Sequence, residues 1–424
     1  MLSIVWLVAC GEPEATGAGD TTPVVLEAGV PWTAPTTDVA AERPAEELCF
    51  EPAGLTALDA WAFARHGDDV DRKGIRTNAL IVMRHGSVAY ERYARDTTAD
   101  TALLTWSVSK SLVNTLVGVA VREGKLDLNA PLAKYVPELD HGRHREIRVT
   151  DALRMSSGLA FDETYETSPV FSSVMHMLYT RGRWDMAAYT ASRGLRHPPG
   201  TVWSYASGNS NLLMRALKST MTEAEYAAYP WTAVFEPLGI DGAVFERDGA
   251  GTFVGSSYWY APARGIARWA QLYLQDGVWK GQRLLPEGWV RYTTTLAPAF
   301  RTTPVSRELR EDNPGAHWYV NVGDESRGLA APVPTAPKDL FGAQGHWGKR
   351  VWVVPSQELV VVRMGDDRVH LCAEGETEDC ESDPAKVYSD AELLRLIEAA
   401  IRPGCVVVDP VPEALPVEAV GGAL

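Results

Sequence analysis

Short apolar runs near both ends of the chain predict β-strands. Residues 78–93 form two runs rich in branched and aromatic side chains around a glycine-containing turn, which predicts a hairpin. Residues 350–354 and 359–364 are two further β-branched runs, separated by a Pro-Ser-Gln turn, and they predict a second hairpin.

Helical spacing dominates the middle of the chain. Over residues 106–123 the apolar side chains recur at helical spacing on most faces, and Gly124 follows, so we predict a buried helix that ends there. Residues 211–300 are largely helical in pattern, and residues 388–402 predict an amphipathic helix opened by a Ser-Asp cap. We therefore expect an α+β fold, with one antiparallel sheet built from both chain ends, flanked by helices, and a mainly helical region inserted.

Composition narrows the function classes. Of 424 residues, 46% are hydrophobic, which is ample for a core, and the net charge is −15 without a basic run. This argues against nucleic acid or an anionic membrane surface as a partner. Oligomeric state is left open.

The chain ends predict processing segments around one domain. Residues 1–10 are mostly apolar and end in Leu-Val-Ala-Cys, which resembles a bacterial lipoprotein signal lipidated at Cys10; a frayed apolar terminus is the alternative. Residues 11–46 have the composition of a flexible tether, 47–405 the folded domain, and 406–424 a flexible tail. We expect an exported protein of the bacterial cell envelope or periplasm, touching the membrane through its anchor alone.

Four further cysteines allow three pairings. Cys372 and Cys380 flank an acidic loop that a disulfide would close, whereas Cys49 and Cys405 lie at opposite ends of the domain. Free thiols are the alternative. No Cys/His spacing suggests zinc, and no motif predicts a metal or a cofactor.

Ser107 and Lys110 are the first candidate catalytic residues. The pattern Ser-x-x-Lys occurs once and is weak evidence alone. On a helix the two side chains share a face, burial lowers the pKa of a lysine, and a helix N-terminus stabilises a developing oxyanion. This arrangement is typical of an activated serine nucleophile.

Two more motifs extend the site. Tyr205 and Ser207 lie in a turn before an apolar helical run, where a tyrosine beside a cation is a candidate base; a tyrosine capping a turn is the alternative. His346, Trp347 and Gly348 open a predicted strand, whose edge offers an N–H donor; a hydrogen-bonded histidine at a strand end is the alternative.

The order Ser-x-x-Lys, Tyr-x-Ser, His-x-Gly resembles the serine β-lactamase and penicillin-binding-protein superfamily. It is most similar to the branch with class C β-lactamases, esterases, DD-peptidases and 6-aminohexanoate-dimer hydrolases. The resemblance covers about residues 50–402, including residues 149–159, 235–240 and 267–290.

The resemblance implies a role for each residue. Ser107 is the acylated nucleophile, Lys110 and Tyr205 are the base and proton shuttle, the N–H groups of Ser107 and Lys349 form the oxyanion hole, and Ser207 takes the polar position after the tyrosine. The implied substrate is a small ester or amide.

Two departures bear on specificity. β-Lactamases carry lysine and a small hydroxyl residue where His346 and Trp347 stand, and class C enzymes carry asparagine where Ser207 stands. These changes fit esterases and oligomer hydrolases better. With Trp106 and Gly348, these residues predict a substrate-binding pocket with aromatic walls.

The sequence therefore predicts a serine hydrolase that cleaves an ester or amide bond through an acyl-Ser107 intermediate. A D-alanyl-D-alanine carboxypeptidase or β-lactamase is the alternative within the enzyme class. A non-catalytic cell-wall or peptide-binding module of the same fold is the alternative outside it.

Overall fold

The structure is a computed structural model, and it describes residues 22–27, 42–64, 74–164, 171–304, 314–367 and 388–408. The strands formed by these residues are β1 (Thr77–Arg84), β2 (Ser87–Tyr93), β3 (Leu103–Leu104), β4 (Val244–Phe245), β5 (Trp259–Ala261), β6 (Val278–Trp279), β7 (Gln282–Arg283), β8 (Tyr319–Val320), β9 (Phe341–Gly345), β10 (Lys349–Val354) and β11 (Leu359–Gly365).

Helices fill the space between the strands of the two chain ends. The α-helices are α1 (Pro52–Ala62), α2 (Val108–Arg122), α3 (Val149–Leu153), α4 (Ser173–Tyr179), α5 (Met186–Ala191), α6 (Ser207–Ser219), α7 (Glu223–Pro230), α8 (Glu236–Leu238), α9 (Ala263–Leu274), α10 (Trp289–Thr293), α11 (Pro298–Thr302) and α12 (Asp390–Ala400), with a π-helical turn at Trp231–Phe235. Short 3-10 turns lie at Leu132–Lys134, Pro137–Leu139, Gly142–Glu146, Glu325–Arg327 and Pro355–Gln357. None of the helices in the described ranges is both long and apolar enough to cross a membrane.

The main sheet joins the two ends of the chain. Its strand order is β2-β1-β11-β10-β9-β8, and each neighbouring pair is antiparallel. Both predicted hairpins, β1–β2 and β10–β11, are present. The predicted α+β fold, with one antiparallel sheet built from both chain ends and a helical region between them, is confirmed.

The sheet is covered on both faces, which explains its continuous apolar runs. Successive strand residues point to opposite faces. On β1, Leu80 and Val82 therefore pack in a core under α1 and α12, whereas Ile81 and Met83 pack in the larger core that holds α2 and α9. A strand that is buried on both faces is stabilised by apolar side chains at every position.

Helix α2 crosses the larger core and places the start of the predicted site. Every residue from Val108 to Ala120 is buried. At Gly118 an added methyl group would lie 2.7 Å from the ring of Trp289, so the close approach of this side chain requires glycine. The prediction of a buried helix here is confirmed.

Part of the segment predicted as a tether contacts the domain. Val24 exchanges two hydrogen bonds with the Asn129 side chain, at 2.7 and 3.0 Å, and Glu27 pairs with Arg291 at 3.0 Å. Residues 22–27 are therefore held at the surface of the domain. Cys10 and the predicted signal lie outside the described residues.

A disulfide joins the two ends of the domain. Cys49, which precedes α1, is bonded to Cys405, which follows α12. This was one of the pairings that the sequence left open. Cys372 and Cys380 lie outside the described residues. The bond is consistent with an oxidising compartment; export and lipidation at Cys10 stay predictions, which the mass of the mature N-terminal peptide would check.

We expect the double change Cys49→Ser and Cys405→Ser to lower the free energy of unfolding by about 2–5 kcal/mol, because the bond closes a loop of 356 residues in the unfolded chain. Urea unfolding of the variant and of wild type measures this. Reducing agent should lower the urea midpoint of wild type toward that of the variant. Equal midpoints for oxidised wild type and the variant would contradict the prediction.

Candidate active site

Ser107 lies at the N-terminus of α2, with Lys110 one turn below it. The Lys110 ammonium donates a hydrogen bond to Ser107 Oγ at 2.9 Å. Residues three apart on a helix lie on one face, so the contact follows from the spacing alone. Trp106, just before the serine, has a φ of +50°, an unfavourable value for a bulky residue and of a kind often found beside active sites.

Burial makes Lys110 an unusual lysine. Its side chain is buried, and Nζ also donates to the carbonyl oxygen of Ser256 at 2.9 Å. Burial lowers the pKa of Lys110 to about 8, although the carboxylate of Glu163 opposes this shift. A lysine with such a pKa supplies neutral amine at ordinary pH, and a neutral amine accepts a proton.

Tyr205 joins this pair from the turn before α6. Its half-buried ring lies 4.9 Å from Lys110 Nζ, measured to the ring centroid. Ser107, Lys110 and Tyr205 line one small cavity. The structure thus brings together the three residues that the sequence predicted as catalytic.

Ser207, by contrast, lies beneath the site. It is fully buried at the first position of α6, its amide donates to Glu163 Oε2 at 2.8 Å, and its hydroxyl donates to Glu163 Oε1. Both polar groups of Ser207 therefore face Glu163 in this structure, and its contact with substrate stays a prediction. Glu163, which the sequence analysis missed, lines the cleft in its place.

His346, Trp347 and Gly348 form the turn between β9 and β10, not the start of a strand. Trp347 and Gly348 have φ values of +61° and +75°, which end the extended backbone. The strand beside Ser107 is β9. A methyl group at Gly345 would lie 2.2 Å from the carbonyl oxygen of Thr105 and 3.4 Å from the Ser107 nitrogen, so the backbones meet there.

Lys349 lies one strand away from the nucleophile. Gly365 N donates to Gly348 O at 3.2 Å, so the alternation of hydrogen bonds along a strand directs the next amide, that of Lys349, toward β9. There Lys349 pairs with Gly345. The register therefore directs the Lys349 amide, which was predicted as an oxyanion donor, toward β9, whereas the next amide after Gly345 belongs to His346.

A cleft of about 1140 Å³ opens above Ser107. One wall is aromatic: the Trp106 ring lies 5.6 Å from Trp347 and 6.2 Å from His346, between centroids. Trp106, His346, Trp347 and Gly348 thus lie where a substrate-binding role was predicted. The cleft also carries charged groups of both signs, contributed by Asp162, Glu163, Arg196, Arg350 and Asp390.

His317 is a second residue that the sequence did not single out. Its Nδ1 donates a hydrogen bond to Leu153 O at 2.6 Å, and its Nε2 accepts one from Ser210 Oγ at 2.8 Å. Burial, helped by the nearby Lys110 cation, lowers the pKa of His317 to about 3, although the hydrogen bond to Leu153 O opposes this shift. The His317 ring is therefore neutral, and its hydrogen bonds fix it beside the candidate catalytic residues. No local sequence motif predicts this position.

Comparison with known proteins identifies the family. The family model described as Beta-lactamase matches residues 62–368. The chain belongs to the beta-lactamase family. It is 28% identical over 299 residues to the 6-aminohexanoate-dimer hydrolase of Paenarthrobacter ureafaciens, which covers 68% of this chain and 72% of that relative. As a beta-lactamase-family protein it is a hydrolase of the esterase- and amidase-like kind.

Solved structures share the beta-lactamase fold. A candidate 6-aminohexanoate-dimer hydrolase from Bacillus anthracis matches at a TM-score of 0.61 and 15% identity, over 87% of this chain and 89% of that one. A family VIII carboxylesterase matches at 0.57 and 17%, over 86% and 98%. At these identities the likeness establishes the fold.

Metal ligands are not clustered in this beta-lactamase-family protein as far as the structure describes it. Within the described ranges no group of three or more His, Cys, Asp and Glu side chains is arranged to hold an ion.

Proposed function

We propose that the protein hydrolyses esters or amides through an acyl-Ser107 intermediate. The observation that carries this proposal is the 2.9 Å contact between Ser107 Oγ and a buried lysine whose pKa is lowered to about 8. A serine hydroxyl is a weak nucleophile until a neighbouring base takes its proton. Here the base is one helical turn away.

The side chains of the site account for each proton and each bond in the proposed acylation step. Ser107 Oγ attacks the substrate carbonyl carbon while its proton passes to neutral Lys110, either directly or through the Tyr205 hydroxyl, which accepts this proton and gives its own to Lys110. The tetrahedral intermediate then collapses, the C–O or C–N bond breaks, and the same proton goes to the leaving alcohol or amine. Water repeats the sequence on the acyl-enzyme and releases the acid.

Two backbone amides are proposed to hold the developing oxyanion. The Ser107 amide opens α2, and the His346 amide follows Gly345, whose backbone meets Ser107. This pair replaces the predicted use of Lys349. Preorganised amides of this kind act where charge develops in the transition state.

The cleft favours an elongated ester or amide over a β-lactam. Gly345, which lies against Ser107, is preceded by Ala343 and Gln344, so the strand beside the nucleophile carries neither the lysine nor the small hydroxyl residue of β-lactamases. The aromatic wall of Trp106 and Trp347 suits apolar chains. The names of two of the relatives point the same way, to an oligomer amide and to carboxylic esters.

Labelling with a fluorophosphonate probe tests the proposal. We expect one adduct, located on the peptide that contains Ser107, and turnover in a panel of p-nitrophenyl butyrate, a linear aminohexanoate dimer, nitrocefin and a D-alanyl-D-alanine peptide. Rates highest for nitrocefin or the peptide would favour the β-lactamase or carboxypeptidase alternative. No adduct and no turnover by folded protein would favour a non-catalytic binding module.

The activity should rise with pH through about 8. Below its pKa of about 8 Lys110 is protonated and cannot accept the serine proton; above it the neutral form predominates. The measurement is kcat/KM for p-nitrophenyl butyrate between about pH 6 and 10, because this ratio reports the free enzyme. Glu163→Gln should move the inflection to lower pH, since the Glu163 carboxylate raises the pKa of Lys110. A flat profile would rule out this lysine as the base.

A further inference from the structure

A buried ion pair lies behind the turn that carries His346. The side chains of Arg363 and Asp367 are 0% and 2% exposed, and they form two parallel hydrogen bonds, Nη1 to Oδ2 at 2.6 Å and Nη2 to Oδ1 at 2.8 Å. Neither residue lines the cleft. The catalytic proposal above does not use the pair.

The pair holds the turn through the main chain. Arg363 Nη1 donates to Gly348 O at 2.9 Å, and the Asp367 amide donates to Trp347 O at 3.2 Å. A methyl group at Gly348 would lie 2.0 Å from Asp367 Oδ2 and 2.4 Å from Arg363 Nη1. Two of the three turn residues are therefore fixed by this one pair.

Every part of the pair has a partner. Arg363 Nε donates to Thr77 Oγ1 at 2.9 Å, the guanidinium lies 3.8 Å above the Tyr388 ring, and the amide of Arg76 donates to Asp367 Oδ1 at 2.6 Å. Burying two charges is costly, and replacing such pairs by apolar residues often leaves stability unchanged or higher. Stability alone is thus a poor reason for this arrangement.

We infer that Arg363 and Asp367 are positioning residues, which hold the His346–Gly348 turn so that the His346 amide points at the oxyanion of the Ser107 reaction. The inference rests on the proposed function. The same network reaches the cleft wall, since the Tyr388 hydroxyl donates to Asp390 Oδ1 at 2.5 Å.

Arg363→Lys is the sharpest test. Lysine keeps a charge beside Asp367 but lacks the planar fork that reaches Asp367 and Gly348 O together. Removing one oxyanion donor costs about 10²–10³ in kcat, so misplacing one should lower kcat roughly 10- to 100-fold with little change in KM. Arg264→Lys is the matched control, because Arg264 makes a similar forked pair with Glu91 away from the cleft; it should keep wild-type kcat.

The readouts separate positioning from stability. The kcat for p-nitrophenyl butyrate is divided by the number of active sites, which is counted in a separate aliquot as the molecules that take up the fluorophosphonate label. Amide hydrogen exchange is followed over residues 346–348. We expect lower kcat per labelled molecule and faster exchange in the turn. A merely structural pair would reduce the labelled fraction and leave kcat per labelled molecule unchanged, which would overturn the inference, as would unchanged exchange in the turn.

A second variant guards against loss of folding. Asp367→Asn keeps an acceptor for the Arg76 amide and removes the charge, and it should also lower kcat per labelled molecule and speed exchange in the turn. If wild type neither labels nor hydrolyses any substrate, the proposed function fails. Hydrogen exchange then still decides whether the pair holds the turn.

Discussion

Replacing Ser107 by alanine is expected to abolish turnover, with a loss in kcat of about 10⁴-fold or more. The change removes Ser107 Oγ, which Lys110 Nζ contacts at 2.9 Å and which is the atom proposed to form the acyl intermediate. The fluorophosphonate adduct should disappear as well. Intact-protein mass spectrometry and p-nitrophenyl butyrate hydrolysis measure both effects.

Ser109→Ala is the matched control for this change. Ser109 lies in the same turn of α2, but its hydroxyl faces Thr105 Oγ1 at 3.0 Å and accepts from the Trp259 amide at 3.1 Å, away from Lys110. This variant should label and turn over like wild type if it folds. An adduct that persists in Ser107→Ala would mean that another residue is the nucleophile.

Lys110→Met should lower kcat by about 10²–10⁴-fold, the usual contribution of a general base. Methionine fills the buried space but accepts no proton and gives up the hydrogen bonds to Ser107 Oγ and Ser256 O. Because a buried lysine is costly to keep, we expect the melting temperature to stay the same or rise. Steady-state kinetics and thermal unfolding measure the two effects.

Lys218→Met serves as the control for this lysine. Lys218 pairs with Glu223 at 3.1 Å on the surface of the helical region, and its loss should leave kcat unchanged. If Lys110→Met retained wild-type kcat, Tyr205 would have to act as the base without the lysine. The pH profile would then lose its inflection near the pKa of Lys110.

Local sequence patterns were enough to predict the parts of the fold that are decided locally. The apolar spacing from Val108 to Ala120 matched a helix because each of these residues is buried, and the hairpin at residues 78–93 carries its own turn. The contact between Ser107 and Lys110 also follows from spacing within one helix turn. Tyr205 was singled out by its place in a turn before an apolar helical run, and the family resemblance supplied its role.

The sequence pattern did not predict strand β9. The second oxyanion donor was therefore assigned to Lys349 and not to His346. The sequence of β9, Phe-Gly-Ala-Gln-Gly, contains two glycines and lacks the alternation of a half-buried strand. His346 was therefore placed at the start of a strand, and Lys349 was placed beside Ser107. A glycine that meets another backbone leaves no hydrophobic pattern, although Gly345 itself is the signal that such an approach is possible.

Contacts between distant segments were beyond local reasoning. Glu163 binds the first residue of α6 and acts on Lys110, yet nothing in its neighbouring sequence connects it with either partner. The family resemblance gave Ser207 a substrate-binding role, and nothing in its neighbouring sequence indicates that it is buried against this distant carboxylate. Arg363 likewise interrupts an apolar strand for a reason that appears only when Asp367 and the turn are placed beside it.

The sheet built from both chain ends also sets the order in which activity can arise during synthesis. Thr77 in β1 pairs with Gly365 in β11, so this edge of the first long strand has no partner until one of the last strands has been synthesised. Ser107 likewise lacks its neighbour until the turn at His346 has been made. Contacts of such separation close slowly, because a long loop must lose its freedom before the pairing compensates. A nascent chain therefore carries Ser107 for most of translation before the turn at His346 has been made, so the candidate site can be completed only late in synthesis.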